Sequence, residues 1–155
     1  MTTPRRKMIT LDLLIEKGAC KSQRDLFAKH FPEGLAYGDE HIPELVERIG
    51  LLFDWEWAAY KMLPKPCLVA FEKGRIAAWK AYSESVNPSR VIYSKVCDIA
   101  WAAHVSDKGT FVSLQAYDEA TIPARDTHFK EMAPFREVYD KVCALSFLTL
   151  FLDSP

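Results

Sequence analysis

Aromatic and histidine rings recur every eleven residues through more than half of the chain, with a single longer step of thirteen residues. The series is Tyr60, Phe71, Tyr82, Tyr93, His104, Tyr117, His128 and Tyr139. Eleven residues make three helical turns at about 3.67 residues per turn, so the rings lie on one stripe of a helical surface. The pattern therefore predicts a helical repeat region over residues 54–152.

A second bulky position precedes each ring by three residues. It is filled by large apolar side chains in some units and by arginine in others: Trp57, Leu68, Trp79, Trp101, Arg90, Arg125 and Arg136. Residues three apart on a helix are neighbours on its surface. The repeat thus predicts a stripe of paired side chains along each helix.

Prolines recur five residues before the ring, at Pro66, Pro88, Pro123 and Pro134. Proline is tolerated at the first helical position and disrupts a helix further in. We therefore expect the prolines to mark helix starts or kinks, with Asn87 as the cap before Pro88 and a turn at Gly109 between two helical arrays. The predicted helices are 66–86, 88–105, 111–120, 123–132 and 134–152.

The first third of the chain shows shorter helical patterns. Thr10 can cap a helix that Gly18 ends, Ser22 can begin a second helix that extends to His30, and 35–38 can form a brief extended link. Pro43 opens a helix that ends at Gly50. Asp54 then caps the helix that carries Trp55, Trp57 and Tyr60.

Phe111, Val112 and Leu114 form the ambiguous segment, because two of these residues favour strands. Tyr117 keeps the eleven-residue spacing with His128 and Tyr139, so we assign the segment to helix. No strand partner is evident elsewhere in the sequence.

These patterns predict an all-α fold of about seven to nine helices, with eleven-residue repeats broken by prolines. At 155 residues the chain is expected to form one domain. Its expected parts are a disordered tail (1–8), an N-terminal helical segment (9–53) and the repeat region (54–152). The apolar segment 142–152 is too short to cross a bilayer, which places it in the core or in a homo-oligomer interface.

Charge and cysteine spacing exclude several classes of protein. The formal net charge is −1, which lacks the basic excess of a dedicated nucleic-acid binder. The four cysteines, Cys20, Cys67, Cys97 and Cys143, show neither the spacing of a zinc site nor a disulfide framework. Asp12 and Glu16 interrupt the first apolar stretch, so no signal peptide or membrane span is expected. We predict a cytoplasmic protein with no membrane partner.

Catalytic signatures are absent from the sequence pattern. Asp54 and Glu56 lie two positions apart on a helix and diverge, so they cannot form a carboxylate pair. His104 and His128 occupy ring positions and belong to no zinc motif. We predict no catalytic residue, metal or cofactor, and keep as alternatives a metal or enzymatic site built from His104, His128 and a cysteine, or association with nucleic acid.

The ring stripe itself has two interpretations. Such stripes usually form the core of a helical fold. Short repeats can also leave rings exposed as anchors for another protein. The candidate partner-binding residues are Trp79, Tyr82, Tyr93 and Trp101.

Three motifs stand out beside the helical pattern. They are Gly18-Ala19-Cys20 followed by Gln23, Phe27 and Phe31, then Phe53-Asp54-Trp55 with Trp57 and Ala58, and the repeated units Ala78-Trp79-Lys80-Ala81-Tyr82 and Ala133-Pro134-Phe135-Arg136-Glu137-Val138-Tyr139. Together they resemble small all-helical proteins encoded by bacteriophages and prophages, most of which lack an assigned activity. The resemblance covers most of the chain from Ile9 onward and supplies no active site.

The resemblance implies a setting in a bacterial host cell. Small non-enzymatic phage proteins often bind and block host complexes, including CRISPR effectors and other defence machinery. Our first hypothesis is therefore a protein-binding protein that inhibits a host defence complex. A homodimer is compatible with the same pattern, and nucleic acid is not expected as a direct partner.

Overall fold

The computed structural model describes residues 6–155, most of which are helical. In chain order the elements are β1 (Arg6–Ile9), α1 (Leu11–Glu16), α2 (Lys21–His30), β2 (Leu35–Gly38), a 3₁₀ turn (Asp39–His41), α3 (Ile42–Ile49), α4 (Trp55–Met62), α5 (Lys65–Ser106) and α6 (Phe111–Asp153). The broad expectation of a helical fold is confirmed. Six α-helices are present in the described residues, fewer than the seven to nine predicted, and a small sheet accompanies them.

Merging of the predicted repeat helices accounts for the lower count. Pro88 lies inside α5, and Pro123 and Pro134 lie inside α6, so the proline breaks are wrong. A proline removes only one backbone hydrogen bond, and these exposed positions leave the orphaned carbonyl to water. Asn87 is likewise no cap, since it lies within α5 and its Oδ1 accepts from Arg90 Nη2 at 2.8 Å.

The two strands form an antiparallel pair in which Arg6 lies opposite Gly38 and Ile9 lies opposite Leu35. The extended link expected at 35–38 is therefore a strand. The disordered tail predicted for 1–8 is wrong at residues 6–8, which belong to β1, and residues 1–5 lie outside the described residues.

Side-chain caps begin two of the short helices. Thr10 Oγ1 accepts from Leu13 N at 3.1 Å, and Asp54 Oδ1 accepts from Trp57 N at 2.9 Å, as the sequence predicted. Helix α2 begins after Cys20 without a side-chain cap, so the predicted start at Ser22 is wrong. Gly109, at φ +64°, forms the turn that precedes α6, and Phe111 begins that helix rather than a strand.

Backbone contacts divide the chain into two compact units. Of the described residues, unit 1 contains 6–78 together with 139–155, and unit 2 contains 79–138. The core of unit 1 includes Phe71, Phe147 and Leu148, all fully buried. The buried Tyr37 hydroxyl donates to Leu148 O at 3.1 Å. The apolar C-terminal segment therefore belongs to the core of unit 1.

Unit 2 is a helical hairpin made of 79–106 from α5 and 111–138 from α6. Val86 and Ala100 of α5 and Thr121 and His128 of α6 are buried between the two helices. Across residues 6–155, no helix has an apolar stretch long enough to span a membrane.

Candidate partner-binding surface on the hairpin

The ring stripe faces inward in the hairpin. Tyr93 stacks on His128, with ring centroids 5.5 Å apart and planes at 10°. The Tyr82 hydroxyl lies 3.9 Å from Met132 Sδ. Both tyrosines are half-buried. Two of the four candidate residues thus help to hold α5 against α6.

The other two candidates remain accessible. Trp79 is 46% exposed and Trp101 is 56% exposed. Trp79 contacts the ring of Tyr82, and Trp101 contacts His104 and meets Tyr117 edge-on. Each tryptophan therefore has its ring held in place while much of its surface faces solvent.

Two serine–histidine pairs define how the helices are aligned. Ser89 Oγ lies 2.7 Å from His128 Nδ1, and His104 Nδ1 lies 2.8 Å from Ser113 Oγ. The first pair shows that Ser89 of α5 and His128 of α6 lie at the same height along the hairpin axis. Because the two helices run in opposite directions, Arg90 of α5 and Phe129 of α6 lie within about 3 Å of each other along the hairpin axis.

One side of the hairpin carries two shallow apolar grooves. A groove of about 380 Å³ lies between Val96, Ile99 and Ala103 of α5 and residues such as Ala116 and Ala120 of α6. A second groove, of about 280 Å³, lies on the same side and adjoins the first along the two helices. We call this side the groove face, defined by Ile92, Val96, Ile99, Ala103, Ala116, Ala120, Pro123, Thr127 and Glu131.

The opposite side of the hairpin combines aromatic rings with arginines. Arg90, Trp101, Arg125 and Phe129 each lie two residues from a member of the groove face, and two residues correspond to about 200° around a helix. We call them the aromatic–arginine face. Trp79 continues this face along α5, eleven residues before Arg90.

Two arginines bring guanidinium groups to this face. Arg90 donates to Asn87, and Arg125 lies 3.5 Å from Asp126 at an exposed position. Phe129 is 54% exposed. The face therefore offers exposed apolar rings and guanidinium groups along one side of the hairpin, and aromatic and arginine side chains are enriched in protein interfaces.

The histidines do not form a common metal site. His104 bonds to Ser113, whereas His128 bonds to Ser89, which precedes His104 by fifteen positions on the same helix. That separation corresponds to about 22 Å along the helix axis, so one metal ion cannot join both rings. In the described part of the chain, no group of three or more histidine, cysteine, aspartate or glutamate residues could hold a metal ion.

Unit 1 contains a polar cluster that the sequence did not reveal. Arg75 of α5 donates two hydrogen bonds to Glu72, at 3.0 and 2.9 Å, and lies 3.6 Å from Glu56 of α4. The Tyr139 hydroxyl of α6 donates to Glu56 Oε1 at 2.7 Å, and the Tyr60 hydroxyl donates to Glu72. The cluster joins three helices through one guanidinium.

The pKa shifts of this cluster match a structural role. Hydrogen bonds from Arg75 and then from Tyr60 hold the pKa of Glu72 below its ordinary value. Burial, and then the bond to Glu56, raises the pKa of Tyr139. Burial also raises the pKa of the neighbouring Cys143 thiol to about 11. An ionised carboxylate, a neutral tyrosine and a protonated thiol leave no acid or base poised near neutral pH.

A small cavity of about 40 Å³ also lies in unit 1. It is apolar, with Phe27, Phe53, Trp55 and Phe147 among the residues that line it. This volume equals that of a few water molecules at most and is too small for an organic substrate. The cavity is therefore a small packing defect among the aromatic side chains of the core.

Sequence reasoning missed Arg90, Arg125 and Phe129 as members of a common surface. The signal was present for the arginines, because they share the position of Trp79 and Trp101 in the repeat. Phe129 follows a ring position and lies outside that pattern, so only the folded hairpin places it beside Arg90.

Comparison with known proteins finds no family, curated protein or solved structure that matches this chain. The class is therefore defined by structure alone, as a mostly helical protein that carries a two-helix hairpin with two chemically different faces.

Proposed function

We propose that this chain is a non-enzymatic protein-binding protein whose partner docks on the aromatic–arginine face. One observation carries the proposal. The exposed rings of Trp101 and Phe129 lie on the same side of the hairpin as the side chains of Arg90 and Arg125. Side chains of these types supply most of the binding energy in protein interfaces when a partner covers them.

The chemistry of the face specifies the partner. Guanidinium groups form paired hydrogen bonds with carboxylates, and they also stack on aromatic rings. The best-matched partner surface is apolar at its centre and carries aspartate or glutamate at its edge. We further propose, from the resemblance to phage-encoded proteins, that this partner belongs to a bacterial host defence complex such as a CRISPR effector, with action in the host cytoplasm.

Affinity capture from bacterial lysate, with and without nuclease, tests the proposal. We expect a stoichiometric protein partner that survives nuclease treatment. Replacing Trp101 with alanine should weaken retention of that partner at least tenfold, which corresponds to about 1.4 kcal/mol of binding free energy. Arg90→Ala and Phe129→Ala should act in the same direction.

Ile76→Ala provides the matched control, because Ile76 is 59% exposed on α5 but lies in unit 1. It should retain the partner fully, and circular dichroism should show that all variants keep their helical content. Full retention by Trp101→Ala, Arg90→Ala and Phe129→Ala would contradict the proposal. A partner released by nuclease would favour the alternative of association with nucleic acid.

A further inference from the structure

We infer that the groove face of the hairpin binds a second copy of this chain, so that two hairpins form a four-helix bundle. This inference concerns the side opposite the aromatic–arginine face and does not depend on the proposed partner. It rests on the chemistry, the size and the shape of the groove face.

The groove face is chemically suited to burial. Ile92 and Ile99 are 64% and 72% exposed, the largest apolar exposures on this side of α5. Among the described residues that line the two grooves, Glu131 is the only carboxylate, and none is lysine or arginine. Helices whose apolar stripe is left uncovered gain stability when another helical pair covers it.

The area of the face is large enough for a specific interface between two copies. On α6 the residues that line the two grooves lie within 113–131, about 28 Å of helix at 1.5 Å per residue, and two helices side by side are about 20 Å wide. The face therefore offers about 560 Å², so that two copies together bury about 1,100 Å², just above the roughly 1,000 Å² that a biological interface should exceed.

The shape of the face is complementary to itself. Helix α5 contributes the large side chains of Ile92 and Ile99, whereas α6 contributes the small side chains of Ala116, Ala120 and Thr127. A twofold axis parallel to the helices sets α5 of one copy on α6 of the other, so large side chains meet small ones in both halves.

The same twofold axis also places Glu131, the carboxylate of the groove face, opposite polar side chains. Glu131 and Ser89 line the same groove, on α6 and α5 respectively. With α6 of one copy on α5 of the other, each Glu131 lies opposite the serine-bearing stretch of the second copy. The alternative axis, which sets α6 on α6, brings helices that carry Glu131 together and places small side chains on small ones. We therefore favour the first orientation.

Light scattering coupled to gel filtration tests the inference on the full chain. We expect a mass twice the 17.7 kDa of one chain at micromolar concentrations. Ile99→Lys should give single chains, because it places an ammonium group against Ala120 of the second copy. Ile76→Lys, the matched isoleucine in unit 1, should remain dimeric.

A charge pair tests the orientation and guards against a fold defect. Ala120→Glu should also give single chains, whereas a mixture of Ile99→Lys and Ala120→Glu chains should restore the doubled mass. In that mixture one half of the interface pairs the new charges and the other half is native. Recovery on mixing would also show that both variants are folded.

Three results would overturn the inference. They are a wild-type mass of 17.7 kDa at all concentrations, a dimer that both Ile99→Lys and Ala120→Glu leave intact, and the absence of recovery in the mixture. If the wild type stays a single chain and Ile99→Lys instead releases a captured host protein, the groove face binds that protein rather than a second copy.

Discussion

Arg75 connects the residues of the polar cluster in unit 1. Its guanidinium holds Glu72 with two hydrogen bonds and approaches Glu56, which accepts in turn from Tyr139. Tyr139 is 3% exposed, whereas Tyr60, which donates to Glu72, is 51% exposed. The two tyrosines occupy equivalent repeat positions and each donates to a carboxylate that contacts Arg75, but only Tyr139 is buried.

Replacing Tyr139 with phenylalanine should therefore destabilise the protein by about 1 kcal/mol, since it removes a hydrogen bond whose donor residue is buried. Urea denaturation followed by circular dichroism measures the change in the free energy of unfolding. Tyr60→Phe is the control and should cost under about 0.5 kcal/mol, because water can replace the lost donor. Equal losses at the two positions would contradict this account of the cluster.

At the scale of elements, the sequence predicted local features well and distant pairing poorly. The caps at Thr10 and Asp54 follow from residues three positions apart. The sheet pairs Arg6 with Gly38, and short-range sequence patterns do not predict the pairing of strands so far apart in the sequence. The stripe of rings indicated a helical surface but not which side of that surface faces a second helix. The sequence therefore could not distinguish Tyr93, which packs against α6, from Trp101, which is exposed.

The prolines were misread because their position in the repeat suggested helix starts. Pro88 lies inside α5 at an exposed position, where it deletes the hydrogen bond to the carbonyl of Glu84. Continuing one helix through that defect avoids ending one helix and nucleating another, which is itself unfavourable.

Pro88→Ala should accordingly stabilise the protein by about 2 kcal/mol, the cost of an interior proline less the flexibility that alanine adds to the unfolded chain. Asn87→Ala, next to it on α5, is the control and should change the stability by under about 0.5 kcal/mol. Urea denaturation compares the two variants with the wild type. A loss of stability in Pro88→Ala would mean that the native packing depends on the proline ring at this position.

At the scale of the whole molecule, the inferred dimer makes stability depend on concentration. Folded dimers are favoured over unfolded single chains by mass action, and a tenfold rise in concentration contributes about 1.4 kcal/mol per dimer. We expect the melting temperature of the wild type to rise by about 2 °C for each such step. Ile76→Lys should keep this dependence.

Ile99→Lys should melt at one temperature over the same range of concentration, because Ile99 is 72% exposed in the single chain and its replacement removes only the contact between copies. Differential scanning calorimetry on a dilution series makes the comparison. A melting temperature of the wild type that does not change with concentration would mean that the groove face stays open to solvent. The exposed isoleucines of α5 would then need a different explanation, since large apolar patches on a protein surface ordinarily mark interaction sites.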